Sequence, residues 1–142
     1  MKFEYSAGGV VVKKEKDKLW VLVIESSRYH HRGLPKGHIG DTIKGETKEE
    51  AALREVKEET GAQGTILREL NPITYFYSFE GEKRKKTVYF FLMRYTGGDI
   101  TQHDIESENV EWISVDEIEQ RLTYEDERKV CREARKYFDL LD

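Results

Sequence analysis

Six glutamates fall within the seventeen residues GETKEEAALREVKEETG, Gly45 to Gly61. The last three, Glu55, Glu58 and Glu59, are separated by three and by one. On an α-helix all three lie within about 100° of arc, on one face. Like charges one helical turn apart repel by about 0.2–0.5 kcal/mol per pair on an exposed surface. Three arrangements reconcile that repulsion with a stable helix. The face can be solvated; it can be salt-bridged, with Lys48 and Lys57 at hand; or it can hold a hard divalent cation. Mg2+ and Mn2+ take oxygen ligands, keep part of their water shell and accept substrate phosphates as further ligands. Ala51, one turn earlier on the same arc, is small enough to leave room for an ion. Arg54 flanks the face, where a guanidinium can orient a carboxylate with two hydrogen bonds.

The elements that must position these groups are legible on either side. Thr47 followed by Glu50 is a capping-box pattern, Gly61 supplies a C-terminal stop, and Ala52, Leu53 and Val56 form an apolar stripe. Before the helix, Ser27 to Gly45 reads as one long loop with Gly33, Pro35, Gly37, Gly40 and Gly45, and long loops in compact domains are usually functional. Tyr5–Val12 and the apolar run Leu19–Ser26 read as strands joined by a polar hairpin. Strands are expected at 65–70, 73–79, 86–95 and 109–115, with a turn at EGEK, then a short helix and a longer C-terminal one. In the latter Val130, Ala134, Tyr137, Phe138 and Leu141 recur at helical spacing, and Cys131 beside them reads as a packed thiol. The mixture predicts an α+β fold with a mixed sheet between helices.

Composition narrows the function classes. A chain of 142 residues with 37% apolar residues suits one domain, residues 1–142, with a real core. No apolar run is long enough to span a membrane, the N-terminal stretch lacks the pattern of a signal peptide, and the one cysteine cannot form an internal disulfide, so a cytoplasmic protein is expected. A net charge of −4 argues against a stable nucleic-acid complex. Positive charge is nevertheless clustered in RYHHRGLPKGH (Arg28 to His38) and in EKRKKT (Glu82 to Thr87). Each is either a solvated turn or a local holder for a small anion.

GDTIKGETKEEAALREVKEETGA resembles the signature of the Nudix hydrolases, G-x5-E-x7-R-E-U-x-E-E-x-G-U with U a bulky aliphatic. Gly40, Glu46, Arg54, Glu55, Val56, Glu58, Glu59 and Gly61 all stand at the required spacing. Ala62 at the last U is smaller than usual. The resemblance extends to SAGGVVV and VEWISVDEI, and it implies the Nudix fold: a mixed sheet between helices. It implies hydrolysis of a nucleoside diphosphate linked to another group, with Mg2+ or Mn2+. Glu55, Glu58 and Glu59 are then metal ligands, Arg54 orients Glu55 or Glu58, and Glu46 supports Arg54 or the loop. Family members also use a backbone carbonyl. The loop is about three residues longer than the common PKGH-x-E-x-GE entry, so the pattern glycine is Gly37 by context and Gly40 by spacing. The general base comes from the helix or from a later loop, where Glu106 matches by position and Glu108 is the alternative.

The signature does not choose a substrate. PKGH (Pro35 to His38), KTVYFFLM (Lys86 to Met93) and RLTYEDERKV (Arg121 to Val130) resemble the diadenosine polyphosphate hydrolase branch, although the Trp that many relatives carry before LPKG is missing. That resemblance implies an aromatic ring on the adenine, Tyr77 with Tyr75 nearby, and Lys36 and Lys86 on the distal phosphates. The implied partner is a small nucleotide, with a monomer or homodimer as the assembly. Nucleoside triphosphate, RNA 5′-end and diphosphoinositol pyrophosphohydrolases are the competing enzymes, and a nucleotide-sensing domain is the non-enzymatic alternative.

Overall fold

The computed structural model describes residues 1–26, 30–40, 43–101 and 109–142. Its backbone is organised by one long strand. Strand β1 (Lys2–Glu15) turns through Lys16 and Asp17, both at positive φ, into antiparallel β2 (Lys18–Glu25). Two consecutive positive-φ residues give the twist that a tight hairpin needs. Short β3 (Arg32–Gly33) and β4 (Lys36–His38) follow, then helix α1 (Lys48–Thr60). Strand β5 (Ala62–Glu69) precedes the hairpin of β6 (Ile73–Phe79) and β7 (Glu82–Gly98), whose turn uses Glu80 and Gly81 in the same positive-φ way. Strand β8 (Asn109–Ser114), helices α2 (Ile118–Arg121) and α3 (Glu125–Arg135) and a 3-10 turn (Phe138–Leu141) complete the chain.

The sheet runs β3-β2-β1-β7-β5, with β4 on β1, β6 on β7 and β8 on β2. Both predicted hairpins are antiparallel, whereas β1 and β7 run parallel, from Lys2 opposite Arg84 to Val12 opposite Arg94. The sheet is therefore mixed. Alternation along β1 and β7 divides the interior in two. Val10, Val12, Val88, Phe90 and Leu92 face α2 and α3 with Ile118, Leu122, Val130 and Ala134. Ala7, Val11, Phe91 and Met93 face α1 with Ala51, Ala52 and Val56. This is the expected α+β sandwich. Among the described residues no helix is long and apolar enough to cross a membrane.

Helix α1 starts where its capping box places it. Thr47 Oγ1 accepts the Glu50 amide at 3.1 Å, and the Glu50 carboxylate accepts the Thr47 amide at 3.1 Å. Gly61 ends the helix at φ 80. A side-chain cap of this kind stabilises by about 1 kcal/mol.

The long loop before α1 is not structureless, contrary to the sequence reading. Within it Lys36–His38 pairs antiparallel with Ser6–Gly8 of β1. This segment has little strand propensity of its own, and its partner supplies the geometry. At Gly8 a Cβ would stand 2.1 Å from the Pro35 carbonyl oxygen, so only glycine lets the two backbones approach.

Candidate active site

Arg54 is the hub of the acidic face. Its Nε and Nη2 donate to the two oxygens of Glu46, at 2.6 and 2.8 Å. Nη1 donates to Glu55 at 2.7 Å and to Glu58 at 3.1 Å. The second Nη2 hydrogen goes to the His38 carbonyl at 3.0 Å. All five guanidinium donors are thereby engaged. Arg54 orients carboxylates and has none left for a substrate. Its side chain is 12% exposed and that of Glu46 is 1% exposed, so both are held out of water as a pair. The Glu46 hydrogen bonds raise the Arg54 pKa, against the pull of burial, and the same bonds hold Glu46 below the usual carboxylate range.

The two glycines of the entry loop have different work. At Gly37 a Cβ would lie 2.0 Å from a Glu55 carboxylate oxygen, so Glu55 rests directly on the backbone of β4. Gly40, at φ +82, donates its amide to Glu46 at 3.1 Å. Glu59 accepts the Lys36 amide at 3.0 Å. Strand β4 thus touches Glu55 through Gly37, Glu59 through Lys36 and Arg54 through His38. Glu55 and Glu58 are turned toward Arg54. Among the described residues no three His, Cys, Asp or Glu side chains close on a common point. The donor set nonetheless fits a hard cation: three carboxylates share one arc of α1, with a close-packed backbone beneath Glu55. Glu106 and Glu108, the base candidates, lie outside the described residues.

On the other side of β4 stands a second, balanced pair. Lys36 Nζ donates to Glu127 at 3.1 Å, and the other Glu127 oxygen accepts the Leu34 amide at 2.9 Å. Glu127 is 2% exposed. Burial alone would lower the Lys36 pKa, but the charge and hydrogen bond of Glu127 outweigh it and leave the ammonium more firmly protonated than usual. The pair lies in the wall of a cavity of about 360 Å3, shared with Ile73, Tyr75, Tyr124 and Asp126. Tyr124 Oη is 2.8 Å from His31 Nδ1, and the two rings meet edge to face. Lys86 faces the same region. Burial first, and then the charge of Lys36, lower its pKa, partly offset by Glu4 and Glu59.

The expected groups are therefore partly gathered. Arg54, Glu55, Glu58, Glu59 and Gly37 form one constellation, and Lys36 joins it to the cavity. Tyr77 does not line that cavity; its phenol is bonded to Glu4, which Arg84 also contacts. Tyr75, two residues earlier on the same strand face, lines it instead. Glu127 went unrecognised in the sequence, although a signal was present. It lies three residues before Val130 and four before Cys131, so an acid sits on the buried stripe of α3. Cys131 itself is buried, and desolvation pushes its thiol up to about 12.

Comparison with known proteins places this geometry. A family profile described as NUDIX domain matches residues 2–134. A Mycobacterium tuberculosis relative bearing the name MutT4 is 39% identical over 146 residues, 97% of this chain and 57% of its own length. An 8-oxo-(d)GTP phosphatase of Mycolicibacterium smegmatis is 39% identical over 112 residues, 79% of this chain but 32% of its own length. The chain thus spans about half or less of these two relatives. An asymmetrical bis(5′-nucleosyl)-tetraphosphatase of Caenorhabditis elegans is 33% identical over 116 residues, 79% of this chain and 80% of its own. The crystal structure of a C. elegans Ap4A hydrolase binary complex superposes with a TM-score of 0.70 at 23% identity, covering 96% of this chain and 98% of that one. That likeness is one of fold.

Proposed function

The chain belongs to the Nudix hydrolase family, and from that premise we propose that it hydrolyses a phosphoanhydride bond in a nucleoside diphosphate-linked compound, with dinucleoside tetraphosphates such as diadenosine tetraphosphate preferred. The observation that carries the reading is the adjacency across β4 of an acidic constellation and a cavity with an ammonium and two tyrosines at its wall.

Mg2+ or Mn2+ held by Glu55, Glu58 and Glu59, with the Gly37 backbone beside them, would supply charge neutralisation on the phosphoryl oxygens and a more acidic bound water. The chain's own residues do the rest. Arg54 and the Lys36 amide fix the carboxylates before substrate arrives, so little reorganisation remains in the transition state. Lys36 and Lys86 take the phosphates that are not attacked. Tyr75, with Tyr124 across the cavity, offers a ring for one base. Tyr77 restrains Glu4 beside Lys86. The oxygen of water bonds to phosphorus, its proton passes to a carboxylate, with Glu106 assigned that role, and the bridging P–O bond breaks to release a nucleotide phosphate.

The test is kcat/KM across dinucleoside polyphosphates, nucleoside triphosphates and ADP-ribose, with the cleaved bond read from reaction in 18O water. The tetraphosphate is expected to lead. A second reading is favoured by the two mycobacterial relatives at 39% identity: a nucleoside triphosphate pyrophosphohydrolase, including one that accepts oxidised guanine. A tenfold advantage for such a triphosphate, or for ADP-ribose, overturns the tetraphosphate assignment while leaving the hydrolase assignment in place.

A further inference from the structure

The basic run Lys83, Arg84, Lys85 and Lys86 is one cluster in the sequence and two in space. Successive residues of a strand point to opposite faces. Arg84 and Lys86 lie on the face of Glu4 and Tyr77, where Arg84 meets Glu4 at 3.5 Å. Lys83 and Lys85 lie on the other face. The registers put Lys85 opposite Phe76 of β6 and level with Phe3 of β1, and Thr87 level with Tyr5. Phe3, Tyr5 and Phe76 are 57%, 49% and 65% exposed. Lys85 Nζ stands 5.9 Å from the centre of the Phe76 ring. Among the described residues no carboxylate comes within ion-pair distance of Lys83 or Lys85, whereas Glu4 and Glu82 of the same ribbon are both engaged by Arg84.

Three rings and two uncompensated ammonium groups on one face ask for a partner with flat apolar surfaces and negative charge. Exposed aromatic clusters of this kind mark interaction sites. A second copy of the chain is a poor partner, because a two-fold interface sets a patch against itself and would bring Lys83 and Lys85 against their own equivalents with no acid between them. We propose that this face binds single-stranded nucleic acid, with bases stacked on Phe3, Tyr5 and Phe76 and phosphates on Lys83 and Lys85. Stacking of this type contributes roughly 1–3 kcal/mol per base and tolerates any sequence. The overall charge of −4 keeps such binding weak and salt-sensitive. The strip leads along β1 from Phe3 and Tyr5 to Ala7, whose partner Gly37 lies under Glu55. A bound strand would therefore approach the acidic constellation along its flank.

The experiment is fluorescence anisotropy of a labelled 12-nucleotide RNA of mixed sequence, without 5′ phosphates, so that binding is read apart from hydrolysis. The full chain should bind in the micromolar range at low salt. With two phosphate contacts the slope of log affinity against log salt should be about −1.4. Phe3→Ala/Phe76→Ala should weaken binding at least tenfold at an unchanged Tm. Lys83→Gln/Lys85→Gln should weaken it and flatten the salt dependence. Absence of binding, equal binding by the aromatic double variant, or equal competition by a duplex of the same length overturns the proposal. So does a wild-type dimer in sedimentation that the aromatic variant dissolves, which would make the face a self-association surface. Failure of the hydrolase assignment would leave every one of these readings interpretable.

Discussion

Around Arg54 three carboxylates share one guanidinium; around Lys36 one carboxylate holds one ammonium. The two assemblies are separated only by the short strand β4, and both contain an acid almost withdrawn from water, Glu46 in the first and Glu127 in the second. They differ in balance. The Lys36–Glu127 pair matches one charge to one, with the remaining Glu127 oxygen satisfied by the Leu34 amide, and Lys36 keeps ammonium hydrogens for a phosphate. In the Arg54 cluster three carboxylates meet one guanidinium, and Glu58 is 40% exposed at its edge. A balanced buried pair is a structural clamp whose loss is felt in folding. Carboxylates gathered at an accessible edge suit a hard cation, and under the proposed function their loss is felt in chemistry.

That contrast can be broken by exchanging the signatures of the two sites. Glu58→Gln preserves shape and removes charge. It should lower kcat/KM at least a thousandfold, about 4 kcal/mol of transition-state stabilisation, with Tm held within a few degrees. Near-normal turnover by the folded variant would falsify the metal role of this face. Glu127→Ala should do the reverse. It leaves Lys36 and the Leu34 amide unpaired in a buried setting and should lower stability by about 3 kcal/mol, roughly 10 °C in Tm; retention of the wild-type Tm would show that the clamp carries no stability. Saturating Mn2+, at a hundredfold excess over its Kd, should raise stability by about 2.7 kcal/mol in wild type and far less in Glu58→Gln. An unchanged melting curve in wild type would overturn the assignment of a cation to this face. Tyr75→Ala should raise KM for diadenosine tetraphosphate about tenfold with kcat nearly unchanged, and Tyr77→Ala should raise it less, since Tyr77 is engaged by Glu4. The smallest expected effect is at Cys131. With its pKa raised from 9.0 to about 12, the thiolate fraction at pH 8 falls by about a thousandfold. Iodoacetamide should leave the native chain unlabelled and active; rapid labelling would mean that α3 opens readily.

What could be read from the sequence is what is set within a few residues. The capping box at Thr47, the stop at Gly61 and the shared arc of Glu55, Glu58 and Glu59 all depend on spacing along one helix and its entry, while the place of Glu46 beside Arg54 or the loop comes only from the family resemblance, and Glu46 in fact meets both. The alternating halves of the core follow from strand periodicity. Other features depend on partners far along the chain. Strand β4 exists because Gly8 admits Pro35, which no local propensity announces. Tyr75 and Tyr77 share a face, and only the position of α3 determines which one lines the cavity. Glu127 meets Lys36 across 91 residues. Net charge is blind in the same way, because it averages over faces that strand alternation keeps apart, and the placement of Lys83 and Lys85 is invisible in a total of −4.

The parallel pairing of β1 with β7 has a consequence in time. The register keeps a constant offset of 82 residues, from Lys2 with Arg84 to Val12 with Arg94. Strand β1 is therefore a central strand whose neighbour is made 82 residues later. At about 5–20 residues per second, β1 waits roughly 4–16 s for β7. Until then its hairpin with β2 presents an open apolar edge, Val10 to Val12, of the kind that pairs with strangers. The signature helix can form early from its own caps, but the strand on which Glu55 rests has no finished sheet to lie against. Assembly of the acidic constellation is thus gated by the last strand to enter the centre of the sheet, and substitutions that slow β7 should reduce the yield of active protein even where the finished fold tolerates them.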